Sequence, residues 1–416
     1  MMGTAWRMNN ASAHADVLIL GGGLVGSTLA IALAQAGLST IVVDPANPDV
    51  ILSAGFDGRA SAVASASHRL LDVIGVGERL RGQGCAIRHI RVSDGLAPGK
   101  LDFIPGEQDE PLGTMYENRL LRTTLFEAAS AADGVDLRMR TRATAVERDL
   151  DGVTATLSDG SVITADLLVA AEGRNSPTRE ASGIKVARWQ YDHAAIIGAF
   201  HHERSHGNIA FEIFYPSGPF ALLPLPDDEV GHRSAIVWTV AKAHAPGMLK
   251  LGDRGFLAEA QKRMGGFLGA LSAPSPRASY PLGFHHTTRV TDTRLALVGD
   301  AGHGIHPIAG QGLNLGFRDV AALVEVLVEG RRLGLEAGDA QLLARYEQWR
   351  SVDTFAVSFA TDTLTRLFGI PGKTASAVRR FGISAVDAIA PLKERFMAEA
   401  RGESGQLPRL LMGMPV

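Results

Sequence analysis

The first long apolar tract, residues 18–44 (LILGGGLVGSTLAIALAQAGLSTIVVD), holds no charge before its final Asp44. As one helix at about 1.5 Å per residue it would outreach the roughly 30 Å of a bilayer core. Its internal pattern predicts a different structure. A short apolar block at Val17–Leu20 is cut by Gly21, Gly22 and Gly23, and each glycine inside a helix costs about 0.8 to 1 kcal/mol relative to alanine. The helix formers that follow stop at Gly37, a natural C-cap, and the β-branched block Thr40–Val43 comes next. The pattern is strand, glycine turn, helix, strand. Asp44 completes it, because a dinucleotide-binding βαβ unit needs an acid about 20 residues beyond its glycines to hold ribose hydroxyls.

Further along, Leu70, Leu71, Val73 and Ile74 suggest a helix ending near Gly75 or Gly77, and a second begins near Asn118, with Leu121, Leu125, Ala128 and Ala129 on one face. Residues 82–114 read as irregular or weakly stranded. Two Asp-Gly pairs, at 151–152 and 159–160, sit between alternating apolar residues and predict hairpin turns leading into an apolar strand at Leu167–Ala171. From about Ile184 to His286 little helix is expected, and strand-like pieces such as HAAIIGAF and SAIVWTV dominate. Helical patterning returns at Gly312–Val328 and from Gln341 onward. The expected fold class is α/β: a discontinuous Rossmann-like nucleotide domain over 15–183 with 287–335, an inserted, mainly antiparallel β-sheet domain over 184–286, and a helical region over 336–416. Part of 82–114 is a candidate to join the inserted domain.

A length of 416 residues allows two domains or one large domain with an insertion. The net charge of −3 gives no electrostatic case for a nucleic-acid partner. Cys85 is the only cysteine, so an intramolecular disulfide and a CxxC redox pair are excluded, which fits a reducing cytoplasm. No signal-like or myristoylation pattern stands at the first residues.

The three glycines of the turn have separate jobs. Gly21 permits the tight turn, Gly23 lets a pyrophosphate approach the backbone, and Gly26 lets the helix pack closely on the strand, with Leu24 and Val25 opening the helix at the anion. A second signature, RLALVGDAGHGIHPIAGQGLNLGFRDVAALVEVL at 294–327, decides which dinucleotide is expected. A buried strand at Leu295–Val298 delivers Gly299 and Asp300 at its carboxyl end, where ligands of open α/β sheets bind. Asp300 can accept hydrogen bonds from a polyol chain. A loop through His306, Pro307, Gly310 and Gly312 opens another helix at about Leu313–Asn314, aiming a second N-terminus inward. A nicotinamide dinucleotide has no ribityl chain and needs no such pair; FAD needs both.

The glycine fingerprint, AAEGRNSPTRE at 170–180 and GDAGHGIHPIAGQGLNLGFRD at 299–319 resemble those of the FAD-dependent aromatic hydroxylases, and among them the ubiquinone-biosynthesis hydroxylases. GRASAVASAS, YENRLLRTTL and SGPFALLPLP extend the resemblance over most of the chain. It implies that Gly21, Gly23 and Gly26 hold the ADP moiety and Asp44 the adenosine ribose. Arg59 and Arg119 would lie near the phosphates and ribityl chain, with Asp300 on the ribityl hydroxyls. Pro307 would lie against the flavin face, and Gly312, Leu313 and Asn314 would turn their N–H groups to its O2/N1 edge. Glu172-Gly173 stands where the family usually has Asp-Gly, with Ser176 and Arg179 in place. The implied reaction is ring hydroxylation of a polyprenylated phenol or quinone precursor through a flavin C4a-hydroperoxide, with O2 as co-substrate and NAD(P)H or another reductase as electron donor.

Two other classes compete: a flavin oxidoreductase that inserts no oxygen, and a non-catalytic FAD-holding subunit of a biosynthetic complex. His306, His303 and Tyr215 are candidate partners for a phenol, each with a packed or solvated role as the plainer reading. HHERSH at 201–206 lacks zinc-site spacing, so a solvated loop is expected there and no metal. Residues 371–416 carry seven Lys or Arg against four acids. Phe381, Ile383, Val386, Ile389, Leu392 and Phe396 recur there at helical spacing. Such a stripe suits peripheral contact with the inner face of the cytoplasmic membrane; packing on the protein, on a second copy in a homo-oligomer or on a biosynthetic complex is the other reading.

Overall fold

The computed structural model describes residues 13–53, 57–96, 100–304, 311–351 and 390–416. Among these, the strands form three sheets. The first runs in the order β18 (Thr291–Asp292), β19 (Leu295–Leu297), β11 (Val162–Ala170), β1 (Ala13–Leu20), β2 (Thr40–Asp44), β8 (Val135–Met139), with β10 (Val153–Leu157) and β9 (Ala143–Arg148) continuing as a meander from β11. Its central strands are parallel, with Leu18 opposite Leu168 on one side and Ile41 on the other. Strands buried on both faces must be apolar throughout, which is why Val17–Leu20 reads as an unbroken block.

Helix α1 (Leu24–Gln35) makes the crossover from β1 to β2 and packs against α2 (Asn118–Ala131) and α5 (Gln311–Arg332). Residues 26–33 of α1 are all buried, so the helix carries no polar stripe. The chain returns to this sheet after the second one, placing β19 parallel to β11 and making the nucleotide-binding layer discontinuous in sequence.

The second sheet has the order β20 (His303–Gly304), β17 (Ala278–Thr287), β12 (Val186–His202), β15 (His232–Ala241), β14 (Phe220–Pro224), β13 (Ile209–Phe214), β5 (His89–Asp94), β6 (Lys100–Phe103), with β16 (Leu271–Ser272) beside β12. Most pairs are antiparallel; β5 joins parallel to β13. One face is covered by α3 (Ala245–Lys250) and α4 (Asp253–Met264), helices that the strand-dominated reading of 184–286 did not anticipate. Their signal was present: Phe256, Ala260 and Met264 recur every four residues and enter a core with Ile196, Phe220 and Trp238. The opposite face meets the third sheet, β3 (Ala60–Ala64), β7 (Gly113–Glu117), β4 (Cys85–Ile87), through Ala199, Ala210 and Ala235.

The HHERSH stretch is a correction. His202 and His206 are buried, not on a solvated loop. His202 bonds the Arg204 carbonyl at 2.7 Å and the Ser234 hydroxyl at 3.0 Å, and His206 bonds the Leu225 carbonyl at 3.0 Å. Burial holds both rings below the ordinary histidine range, and a neutral ring with its nitrogens bonded packs readily. Among the described residues no cluster of three or more metal-ligating side chains occurs. Also among them, no helix is long and apolar enough to cross a membrane. The residues of the C-terminal stripe up to Ile389 lie outside the described residues, as does the side chain of Leu392; α6 (Ala390–Arg401) is described.

Candidate active site

The first cradle is built by the close approaches that its glycines permit. Gly21 has φ +105°, and a β-carbon there would lie 2.5 Å from the Ala171 carbonyl oxygen. One on Gly26 would lie 1.9 Å from the Gly21 carbonyl oxygen. One on Gly23 would meet nothing within 4 Å. Gly23 is the N-cap of α1, makes no side-chain cap, and no acid lies in the first turn, so the helix presents bare N–H groups on an open side. Asp44 braces the turn, its two oxygens accepting from the N–H groups of Gly22 at 2.6 Å and Ala46 at 2.7 Å. A cavity of about 500 Å³ brings Gly21, Asp44 and Glu172 together.

The second cradle locks onto the first through Val25. A β-carbon on Gly299 would meet the Val25 side chain at 3.3 Å, and one on Gly316 would meet it at 2.7 Å. The two glycine signatures, 278 residues apart from Gly21 to Gly299, therefore share one side chain. Asp300 projects its carboxylate outward, 46% exposed, with Arg174 Nε 3.9 Å away. Among the described residues, Gly312, like Gly23, has open space where a β-carbon would stand. Leu313 is half-buried beside it.

Three further links hold the site. Asn314 accepts from the Ala64 N–H at 2.8 Å and donates to the Ala62 carbonyl at 3.0 Å, fastening the start of α5 to β3. Arg179, fully buried, donates to the carbonyls of Ala301 at 2.9 Å and Arg174 at 3.0 Å, tying the middle motif to the Gly299 turn. Glu172 accepts from the Ser176 hydroxyl at 2.6 Å and the Thr178 N–H at 3.2 Å, and Gly173 beside it has φ +77°. Asn314→Ala is expected to destabilise the chain by about 2 to 3 kcal/mol, read by chemical unfolding, because two backbone groups of β3 lose their partners.

Arg59 and Arg119 lie where β3 meets the start of α2. Asn118 N–H donates to the Arg59 carbonyl at 3.0 Å, which sets β3 against the start of α2. Arg59 and Arg122 both bind Asp57, at 2.8 and 2.7 Å. Burial works to raise the Asp57 carboxyl, and these two guanidiniums overcome it and hold it below the usual range. Arg119 keeps a buried Nε with no partner among the described residues, an orphan donor suited to an anion or a hydroxyl.

Of the candidate phenol partners, Tyr215 donates its hydroxyl to the Arg263 carbonyl on α4, away from the cradles. His303 is buried against Asp319 at 2.6 Å. His306, Pro307 and Gly310 lie outside the described residues. Sequence reasoning missed Asp319 and Arg350; the only trace was a charged pair, Arg318-Asp319, inside the apolar run of α5. The Asp319 carboxylate also accepts from the Gly299 N–H at 2.7 Å, so it holds the second cradle from behind.

Comparison with known proteins fixes the family. Residues 14–357 match the FAD binding domain family. The chain is 47% identical to the ubiquinone hydroxylase UbiL of Rhodospirillum rubrum, covering 98% of this chain and 95% of that one. The chain belongs to the FAD-dependent aromatic hydroxylases. It is 33% identical to the 3-demethoxyubiquinol 3-hydroxylase of Escherichia coli K12, over 93% of this chain and 98% of that protein. The crystal structure of p-nitrophenol 4-monooxygenase PnpA from Pseudomonas putida superposes with a TM-score of 0.77, covering 95% and 99% of the two chains; at 17% identity this shows the shared fold. As a member of these hydroxylases the protein is an FAD-dependent monooxygenase. Its residues fit FAD on their own evidence: among the described residues two helix starts carry an open glycine, the two glycine signatures meet at Val25, Asp300 presents an outward carboxylate and Arg119 keeps an orphan donor.

Proposed function

We propose that this enzyme hydroxylates the aromatic ring of a polyprenylated phenol or quinone precursor during ubiquinone biosynthesis. The observation that carries the reading is 47% identity over nearly the whole chain to a protein named a ubiquinone hydroxylase. Bound FAD would supply the activation of O2, using electrons from NAD(P)H or a separate reductase.

The chain's own part is binding, orientation and exclusion of water. Gly21, Gly23, Leu24, Val25 and Gly26 would receive the pyrophosphate at the start of α1, with Asp44 on the adenosine ribose. Arg59 and Arg119 would face the phosphates and the ribityl chain, and Asp300 its hydroxyls. Glu172 and Gly173 shape the turn that carries Arg174 and Arg179 to this side. The N–H groups at Gly312, Leu313 and Asn314 would stabilise negative charge on the ring edge, where each donor in a comparable oxyanion hole is worth about 2.7 to 4 kcal/mol. Residues 15–183 with 287–335 would bind the cofactor, and 184–286 would close over the substrate.

Deleting the gene in its host and identifying the accumulated quinone precursor tests the reading. A prenylated ring lacking one hydroxyl is the expected species; unaltered ubiquinone synthesis would overturn it. Purified Asp300→Ala should lose the yellow flavin absorbance, and full FAD occupancy would remove the role given to that carboxylate.

A further inference from the structure

The face of the second sheet that looks away from α3 and α4 carries one carboxylate in an apolar row. Strand pairing sets the row side by side: Ile197 opposes Val237, Val237 opposes Ala221, Ala221 opposes Glu212, Glu212 opposes Val92, and Val92 opposes Leu101. The adjacent row on this face supplies Ala199, Ala235, Leu223 and Ala210, which pack with Ala60 and Ala62 of β3. Ala62 is the residue whose carbonyl Asn314 holds at the start of α5. Glu212 therefore points to the side of the sheet that faces the second cradle, one register step from side chains touching β3.

Nothing in the fold requires an acid there. Phe211 and Ile213, its neighbours in the chain, point to the other face and build the core under α4. Among the described residues no hydrogen bond or ion pair reaches the Glu212 carboxylate, and burial alone pushes it up to about 7. It is half-buried, as are Ile197, Leu223, Val237 and Val92 around it, so the patch keeps accessible surface. An unpaired carboxylate on an apolar face costs stability, and such a cost is kept where a site uses it.

We propose that Glu212 is a catalytic residue whose carboxylate takes the proton of a phenolic hydroxyl on the bound substrate, raising the electron density of the ring carbon that receives oxygen. The phenol O–H bond breaks, an O–H bond forms on the carboxyl, and the electron pair stays on the ring oxygen. No electrons change hands in this step. When the hydroxylated carbon later loses its ring hydrogen as H⁺, the carboxylic acid returns its proton to the ring oxygen. The proposal rests on the reading of the substrate as a phenol.

Among the other titratable groups on this face, His201 and Arg233 stand two rows from Glu212, held by Asp228 at 2.9 Å and by Glu117 at 2.7 Å. Asp94 lies opposite Phe214 on β5, Tyr280 opposes Ala195 at the β17 edge, and Cys85 joins the alanine cluster with its thiol pushed up to about 11 by burial and by Asp227. Helix α6 contributes Phe396, which packs on Phe103, and Met397 and Ala400, while its Arg401 is engaged by Asp109 and Glu403. A rate limb near neutral pH is thus assigned to Glu212.

The test uses holoenzyme with 2-prenylphenol as probe. Wild-type kcat/KM should rise about tenfold per pH unit below about 7 and level off above it. Glu212→Gln should lose that limb and about 10²-fold in kcat at pH 8, with FAD content unchanged and KM little moved, while Glu212→Asp keeps the limb. Because the folded carboxyl titrates above its unfolded value, wild-type stability falls as pH rises through about 7, so Glu212→Gln should melt at a higher temperature at pH 8. A variant that retains the limb and the rate overturns the proposal. Infrared difference spectra of oxidised holoenzyme at pH 8, where the free carboxyl is ionised, decide it without turnover: probe binding should produce a protonated-carboxyl band that is absent in Glu212→Gln and absent with the O-methyl ether. Binding without that band refutes the role of Glu212, even if hydroxylation proceeds. Wild-type enzyme that gives the band yet forms no hydroxylated product refutes the phenol hydroxylation alone, and failure to bind the phenol refutes both.

Discussion

Asp319→Ala should lose about 3 to 5 kcal/mol of stability and most of its FAD. The carboxylate is fully buried on α5 and accepts three hydrogen bonds: from the Gly299 N–H at 2.7 Å, from His303 Nε2 at 2.6 Å and from Arg350 Nε at 2.7 Å. Arg350, 1% exposed, would lose the carboxylate that its Nε binds while its guanidinium stays buried. Removing one partner of a buried pair costs far more than the pair is worth as a whole, because the remaining charge stays desolvated. The damage reaches the cofactor site because the Gly299 turn, the His303 strand and the helix at 340–351 all converge on this carboxylate. Burial works to raise the Asp319 carboxyl, and the attraction and hydrogen bonds of His303 and Arg350 hold it below the ordinary value of 3.8. Its contribution is therefore present above that value and lost as pH falls through the folded pKa. Denaturant unfolding from pH 7 down to pH 3 checks this: wild type should show the acid loss and Asp319→Asn a flatter profile from a lower starting stability. An alanine variant within about 1 kcal/mol of wild type would show that the network is ornamental.

The contrast between the cradles and this network shows what a sequence can disclose. Val17–Leu20, Gly21–Gly23, the α1 run and Thr40–Val43 obey local rules, so each announces its conformation within a few residues, and the elements lie at Ala13–Leu20, Leu24–Gln35 and Thr40–Asp44. The Asp-Gly turns work in the same way, closing the hairpins between β9 and β10 and between β10 and β11. Asp319 depends instead on Gly299, His303 and Arg350 converging in space, and no periodicity encodes that meeting. Glu212 is similar. Its alternation places it opposite Phe211 and Ile213, but which face looks to the cradle is set by α4 covering one side of the sheet and the third sheet, more than 90 residues earlier in the chain, meeting the other. The histidines of HHERSH misled for a related reason: polar residues read as solvated, whereas carbonyls and a hydroxyl supplied by other strands and turns satisfy them inside.

Two alanine substitutions three residues apart should fail in opposite ways, separating cofactor binding from folding. At Gly26 the new methyl lands 1.9 Å from the Gly21 carbonyl oxygen and 3.3 Å from the Ala171 side chain, and backbone cannot swing aside as a flexible side chain would. Helix α1 must lift off the turn, at a cost of about 1 to 3 kcal/mol in the apoprotein, and its N–H groups move with it. At Gly23 the backbone has φ −73° and ψ −169°, an extended conformation open to any residue, and the methyl meets no atom within 4 Å. Apoprotein stability should hold or rise by up to about 1 kcal/mol, since alanine restricts the unfolded chain. The methyl nevertheless occupies the open side of the helix start, where a pyrophosphate must approach the backbone. FAD affinity should fall about 10- to 100-fold, equivalent to roughly 1.4 to 2.8 kcal/mol. Equilibrium dialysis of FAD and thermal unfolding of the apoprotein, run on both variants, measure the two effects apart. If Gly23→Ala binds FAD as tightly as wild type, the open side of α1 is not where the phosphates lie; if Gly26→Ala folds as stably as wild type, the close packing of α1 on its turn does not constrain the cradle.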